Sequence, residues 1–140
     1  ISGGIENLDK ANKLARTKGA RQIPLRVSGA FHTSLMEPAV DEFREIISNT
    51  TFHPPTVSII ANVTAQPLGN VDAIREELVN QLCHCIQWQR SVEYIAQQKV
   101  TTFYEIGPGK VLSGLIRRIN PELRTRNIST TEEISQLGTD

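Results

Sequence analysis

Three places in the sequence combine residue types whose chemistry is distinctive. His32 stands in Ser28-Gly29-Ala30-Phe31-His32-Thr33, a turn of mostly small residues between a segment of strand periodicity and one of helix periodicity. An imidazole on such a turn, aimed by rigid elements on either side, suits a general base because it titrates near neutrality. A capping or surface histidine near a helix start fits the same position. Cys83-His84-Cys85 offers three metal-ligand types, but structural zinc takes four ligands in two separated pairs. The sequence holds no further cysteine, and its only other imidazoles are His32 and His53. Packing at a helix end explains this tripeptide without a metal. Gly107-Pro108-Gly109-Lys110 follows a strand pattern and opens a helix pattern, the placement used by loops that cradle phosphate. It lacks the spacing of a P-loop and of G-x-G-x-x-G, so a tight turn with close backbone approach is the simpler reading.

The other polar residues offer less. Carboxylates are scattered over helix faces, with no pair isolated in apolar surroundings for acid/base work, and most are expected to be solvated. Asn49-Thr50-Thr51, Asn62-Val63-Thr64 and Asn127-Ile128-Ser129 have glycosylation spacing, yet no signal-peptide layout is visible and Asn62 ends an apolar run. All three read as chance. Among 140 residues, 15 basic and 15 acidic side chains cancel, so no field of one sign points to nucleic acid or to an anionic membrane. The most basic stretch, Leu115-Ile116-Arg117-Arg118 with Arg124 and Arg126 beyond it, is too short and apolar for a phosphate track. No apolar run nears the roughly 20 residues needed to span a bilayer. Two cysteines at that spacing cannot bridge usefully and suggest a reducing compartment. The length suits one compact domain burying roughly two-thirds of its unfolded surface.

These candidates need elements to position them. Ile5, Leu8, Ala11, Leu14 and Ala15 recur at helical spacing ahead of Gly19, predicting a helix over about residues 6–18. Ile23, Leu25 and Val27 alternate with other residues and predict a strand at 22–27. Leu35, Met36, Val40, Phe43, Ile46 and Ile47 mark a second helix, closed by Pro54-Pro55. The β-branched residues of 56–62 predict a buried strand. Asp72 is a natural N-cap for a helix carrying Ile74, Leu78, Val79 and Leu82. A helix from Trp88, a strand at 102–106, a helix from Val111 and a short strand around Asn127-Ile128 follow. Ser129 or Thr130 ahead of Glu132 and Glu133 suggests a capping box.

Alternation of helix and strand makes α/β the expected fold class. The boundary falls near Ser28: residues 1–27 read as part of a small lobe, and 28–140 as a parallel sheet with helices on its faces. Ile1-Ser2-Gly3-Gly4 reads as a strand tail running into a turn, so a piece of a longer protein is expected.

Three collinear segments resemble one family. Val27-Ser28-Gly29-Ala30-Phe31-His32-Thr33-Ser34-Leu35-Met36 resembles the histidine motif of malonyl-CoA:acyl carrier protein transacylases and of the acyltransferase domains of fatty acid and polyketide synthases. Val79-Asn80-Gln81-Leu82, with Ile86-Gln87-Trp88, is similar to their later glutamine segment. The run from Tyr104 through Gly107-Pro108-Gly109 to Leu115 resembles their strand–turn–helix near the C-terminus. The likeness covers almost the whole chain and corresponds to the family's C-terminal half.

The resemblance implies a hydrolase-like, parallel-sheet acyltransferase core over 28–140 and the tail of a small ferredoxin-like subdomain over 1–27. It implies ping-pong transfer of malonyl from malonyl-CoA to the phosphopantetheine thiol of acyl carrier protein, in fatty acid biosynthesis, with no bound cofactor and no metal. His32 matches the base that activates a serine and later the incoming thiol. Gln81 matches the residue whose main-chain carbonyl orients that base. Ala30-Phe31-His32 resembles the malonyl-selective form of the motif, with Phe31 filling the room an α-methyl would need; Ser28 belongs to the same substrate-binding segment. Thr33 departs from the usual serine without a change of chemistry. No G-x-S-x-G elbow occurs in these residues, so the nucleophile is expected upstream, in a missing N-terminal half, and the chain alone is expected to be inactive. The family also implies a monomer when complete, in bacterial cytoplasm or plastid stroma. An acyltransferase domain of a polyketide synthase and a non-catalytic binding module are the alternatives.

Overall fold

Apolar side chains three and four apart wind residues 5–17 into the first helix, α1 (Ile5–Thr17), entered from Gly4. Its end is built as helical spacing requires. Gly19 takes φ +73°, the Gly19 N–H donates to the Arg16 carbonyl, and the Ala20 N–H donates to that of Ala15. This is the left-handed glycine cap, which satisfies carbonyls the helix leaves without partners. The computed structural model describes residues 1–25 and 27–135. It forms two compact units, Ile1–Ile86 and Gln87–Asp140.

In the first unit, two predicted strands do not form. Residues 22–25 and 27 run beside no partner; instead the Gln22 amide donates to the Asn12 carbonyl and accepts from Arg16, folding the chain back on α1. Pro24 has no N–H to give a ladder, and a strand exists only as one of a pair. Residues 56–62 make one isolated antiparallel bridge, Ile60 with Pro67, and Val57 is 74% exposed rather than buried. Their β-branched side chains supply propensity, but the hydrogen bonds stop at that bridge, where the Ala61 N–H donates to the Gln66 carbonyl at 2.8 Å and the Leu68 N–H to that of Ile59 at 2.9 Å. Among the described residues, those before α1 form no strand pair either.

The helix predicted from Leu35 is two elements. A 3₁₀ helix (Ser34–Ala39) contains Pro38, and α2 (Val40–Asn49) starts just after it and buries Ile47. Proline lacks the N–H that a continuous α-helix would use, so the tighter turn precedes the regular one. In α3 (Val71–Cys83) the cap is Asn70, not Asp72: its side-chain oxygen accepts from the Ala73 N–H at 2.8 Å. Asp72 instead lies in the first turn, 3.4 Å from Arg75.

The second unit follows its sequence pattern closely. It contains α4 (Trp88–Gln97), β1 (Thr102–Ile106), α5 (Val111–Ile119), β2 (Arg124–Ile128) and α6 (Thr131–Ser135). The strands pair in parallel from Thr102 with Arg124 to Ile106 with Ile128, joined by α5 as parallel pairs require. Val92, Ile116 and Leu123 form the core, with Trp88, Ala96, Phe103 and Ile119 against it. Thr130 and Glu133 make the capping box: the Glu133 N–H donates to the Thr130 hydroxyl at 3.3 Å, and Glu133 accepts from the Thr130 N–H at 3.2 Å. Helices around a small parallel sheet make the chain α/β.

Candidate functional site

The turn at residues 28–33 holds its imidazole by main-chain contacts. His32 adopts φ +64°, the left-handed region that non-glycine residues seldom visit and that functional sites often stabilise. The end of α3 holds it there. A helix leaves its last carbonyls without intrahelical donors, and two of them serve His32. The His32 N–H donates to the Leu82 carbonyl at 3.0 Å, and ring Nδ1 lies 2.6 Å from the Gln81 carbonyl. A carbonyl oxygen can only accept, so Nδ1 carries the proton. Nε2 is then the ring nitrogen with a lone pair, on an exposed side chain.

Gln81 is itself tethered. Its side-chain oxygen accepts from the Asn62 amide at 2.8 Å. Asn62 sits in a tight turn closed by the Ala65 N–H donating to the Ala61 carbonyl at 3.0 Å, with Ala61 and Ala65 buried and Ala65 at φ +58°. The Asn62 and Val63 N–H groups both donate to Glu77 Oε1, at 2.6 and 3.0 Å. Glu77 is only 9% exposed, an exception to the solvation expected of most carboxylates. Burial is tolerated because the carboxyl group is hydrogen-bonded. Asn62 and Glu77 escaped the sequence reading, since their partners lie 15 and 19 residues away. The one available signal was the i, i+4 spacing of Glu77 and Gln81 on one helix face.

Phe31 precedes His32 and is 44% exposed. Its ring approaches Gly29 so closely that a Cβ there would sit 2.9 Å from Phe31 Cε2, which makes Gly29 a steric requirement of the ring position. Ser28 is exposed on the same turn. His32 and Gln81 are thus brought together, with Phe31 and Ser28 beside them on the turn.

The other candidates resolve structurally. His84 Nδ1 lies 2.7 Å from the Asn80 carbonyl, as a helix-end contact, and Cys83 and Cys85 are free thiols. Among the described residues no cluster of His, Cys, Asp or Glu could hold a metal ion. At Gly107-Pro108-Gly109 the first amides of α5 are already taken. Glu105 accepts from the Leu112 N–H at 3.0 Å and the Ser113 N–H at 2.8 Å, and Asn127 donates to the same carboxylate at 2.9 Å. The Ser113 hydroxyl foremost, then these amides, hold the half-buried Glu105 carboxyl down at about 2 against the opposing effect of desolvation. A carboxylate from β1 therefore occupies the place an anionic ligand would need. No described helix is long and apolar enough to cross a membrane.

No protein-family model matches the chain. Individual relatives do. The chain is 40% identical over 135 residues to the malonyl CoA-acyl carrier protein transacylase of Bacillus subtilis, covering 96% of this chain and 43% of the relative. It is 45% identical over 120 residues to that of Escherichia coli, covering 85% and 39%. Among solved structures, the transacylase of Xanthomonas oryzae superposes with a TM-score of 0.88 at 36% identity, over 95% of this chain and 43% of that one. A malonyl-transacylase in complex with a type II PKS acyl-carrier protein gives 0.90 at 34% identity, over 99% and 45%. The chain therefore spans about two-fifths of the length of the relatives it matches. By sequence and by fold the chain is similar to part of the malonyl CoA-acyl carrier protein transacylases.

Proposed function

We propose that the complete protein transfers malonyl from malonyl-CoA to the phosphopantetheine thiol of acyl carrier protein in fatty acid biosynthesis. This chain is its C-terminal part: residues 1–27 the tail of a ferredoxin-like subdomain, and 28–140 part of the acyltransferase core. One observation carries the reading, the 2.6 Å contact of His32 Nδ1 with the Gln81 carbonyl. It sets the tautomer that a base needs, as the third member of a triad does elsewhere.

In the first half-reaction, His32 Nε2 accepts the proton of a serine hydroxyl supplied by the rest of the protein. The alkoxide attacks the thioester, and coenzyme A leaves as its thiol with the proton from the imidazolium. In the second, the same nitrogen takes the carrier thiol's proton, the thiolate attacks the acyl-serine, and the serine oxygen is reprotonated. The Gln81 carbonyl stays bonded to Nδ1–H throughout and keeps the ring in place. Phe31 excludes an α-methyl beside the base, and Ser28 lies on the substrate side of the turn. No cofactor takes part. The complete enzyme is a monomer of bacterial cytoplasm or plastid stroma.

The 140-residue chain lacks a nucleophile elbow and its oxyanion-hole amide. Purified chain mixed with malonyl-CoA and acyl carrier protein is expected to give no transfer above background. Turnover by the chain alone would refute the division of labour.

A further inference from the structure

We propose that Asn62 and Glu77 are positioning residues for the His32 imidazole, an inference that rests on His32 being the base. Gln81 lies in the last turn of α3, where helices fray and carbonyls have no intrahelical donor. A base held by such a carbonyl is only as well placed as the turn that carries it. The surrounding contacts close a ring around that turn. Glu77, one helical turn before Gln81, binds the N–H groups of Asn62 and Val63 at 2.6 and 3.0 Å. Asn62 in turn donates its side-chain amide to Gln81 Oε1 at 2.8 Å. The chain of bonds leaves α3 at Glu77, passes through the loop, and returns to α3 at the residue holding His32.

Both ends of this ring are sheltered, with Glu77 9% exposed and the turn seated on buried Ala61 and Ala65. Hydrogen bonds removed from water fix geometry more firmly than solvent-facing ones. The ring also ties the 77–81 turn of α3, which holds His32, to Asn62, 15 and 19 residues away along the chain. Neither Asn62 nor Glu77 touches the imidazole, so each acts through Gln81.

The test uses the complete enzyme carrying this segment, with Asn62→Ala, Glu77→Ala, Glu77→Gln and Gln81→Met. Gln81→Met keeps the main-chain carbonyl and side-chain length but removes the acceptor for Asn62. Two readouts are followed: steady-state kinetics with malonyl-CoA, and nitrogen NMR of selectively labelled histidine, which reports the tautomer of His32. The expected result is a fall in kcat of roughly 10–100-fold for the Asn62→Ala, Glu77→Ala and Gln81→Met variants, the scale on which slight misplacement of reacting groups acts. KM changes little, and the single Nδ1–H signature gives way to a mixture. Glu77→Gln, which keeps an accepting oxygen, recovers most of the loss.

Unchanged kcat and an unchanged ring signature, with only a lower melting temperature, would overturn the inference and leave a structural staple. If either alanine variant fails to fold, Gln81→Met decides, because it leaves the turn's bonds to Glu77 intact. A native ring protonated on Nε2 would instead overturn the base reading itself. The two failures are therefore distinct.

Discussion

An imidazole anchored through its own main-chain N–H and bonded through Nδ1 has one nitrogen left for chemistry. Which nitrogen that is follows from the carbonyl opposite it, and the residue type alone says nothing of it. His32 was legible in the sequence because a histidine in a turn of small residues stands out. Its resemblance to the family's motif named the partner carbonyl at Gln81. Asn62 and Glu77 were not legible, because an amide and a carboxylate on opposite sides of a turn are ordinary polar residues until folding brings them together. Phe31 allows a direct test of selectivity. Phe31→Ser in the complete enzyme opens space beside His32, and one methyl group is worth about 1–3 kcal/mol in a fitted pocket. The ratio of kcat/KM for malonyl-CoA over methylmalonyl-CoA is expected to fall by roughly tenfold or more. An unchanged ratio would place the selectivity elsewhere.

Helices announced themselves better than strands. The apolar spacing of α1, α3, α4 and α5 is local, and each forms close to where the pattern puts it. Residues 22–27 and 56–62 have strand composition, yet the described ones form no strand, because pairing depends on a neighbour that lies outside their own sequence. The strands β1 and β2 succeed because α5 returns the chain beside its own first strand. Glu105 adds a pH-dependent contribution to this βαβ unit. Its carboxyl lies at about 2 against an ordinary 4.5, the Ser113 hydroxyl being the largest cause. The native state therefore gains from the ionised group fully above about 4.5, and loses that gain as pH falls toward 2. In Glu105→Ala, the denaturant midpoint is expected to fall well below that of the native protein at neutral pH, and the gap to narrow by about pH 3. A gap independent of pH would mean that charge is not what ties β1 to α5.

The chain spans about two-fifths of the length of its relatives, and several of its large apolar residues are exposed. Val57 is 74% exposed, Ile106 75% and Val111 71%. Parallel strands are ordinarily covered on both faces, yet Tyr104 and Ile106 lie open on one face of β1. In the proposed whole, the remaining sequence provides those covers together with the serine. The α/β class was legible from alternating patterns, and the family from three collinear motifs. The unit boundary at Ile86–Gln87 was not, since contacts define it and composition does not change there. Everything in the functional reading turns on His32 taking a proton from a serine outside this chain, and replacing it in the complete enzyme isolates that step. His32→Ala is expected to lower kcat/KM for malonyl transfer by several powers of ten, with the folded state intact by circular dichroism. A rate near that of the native enzyme would show that the imidazole is structural and that another group is the base.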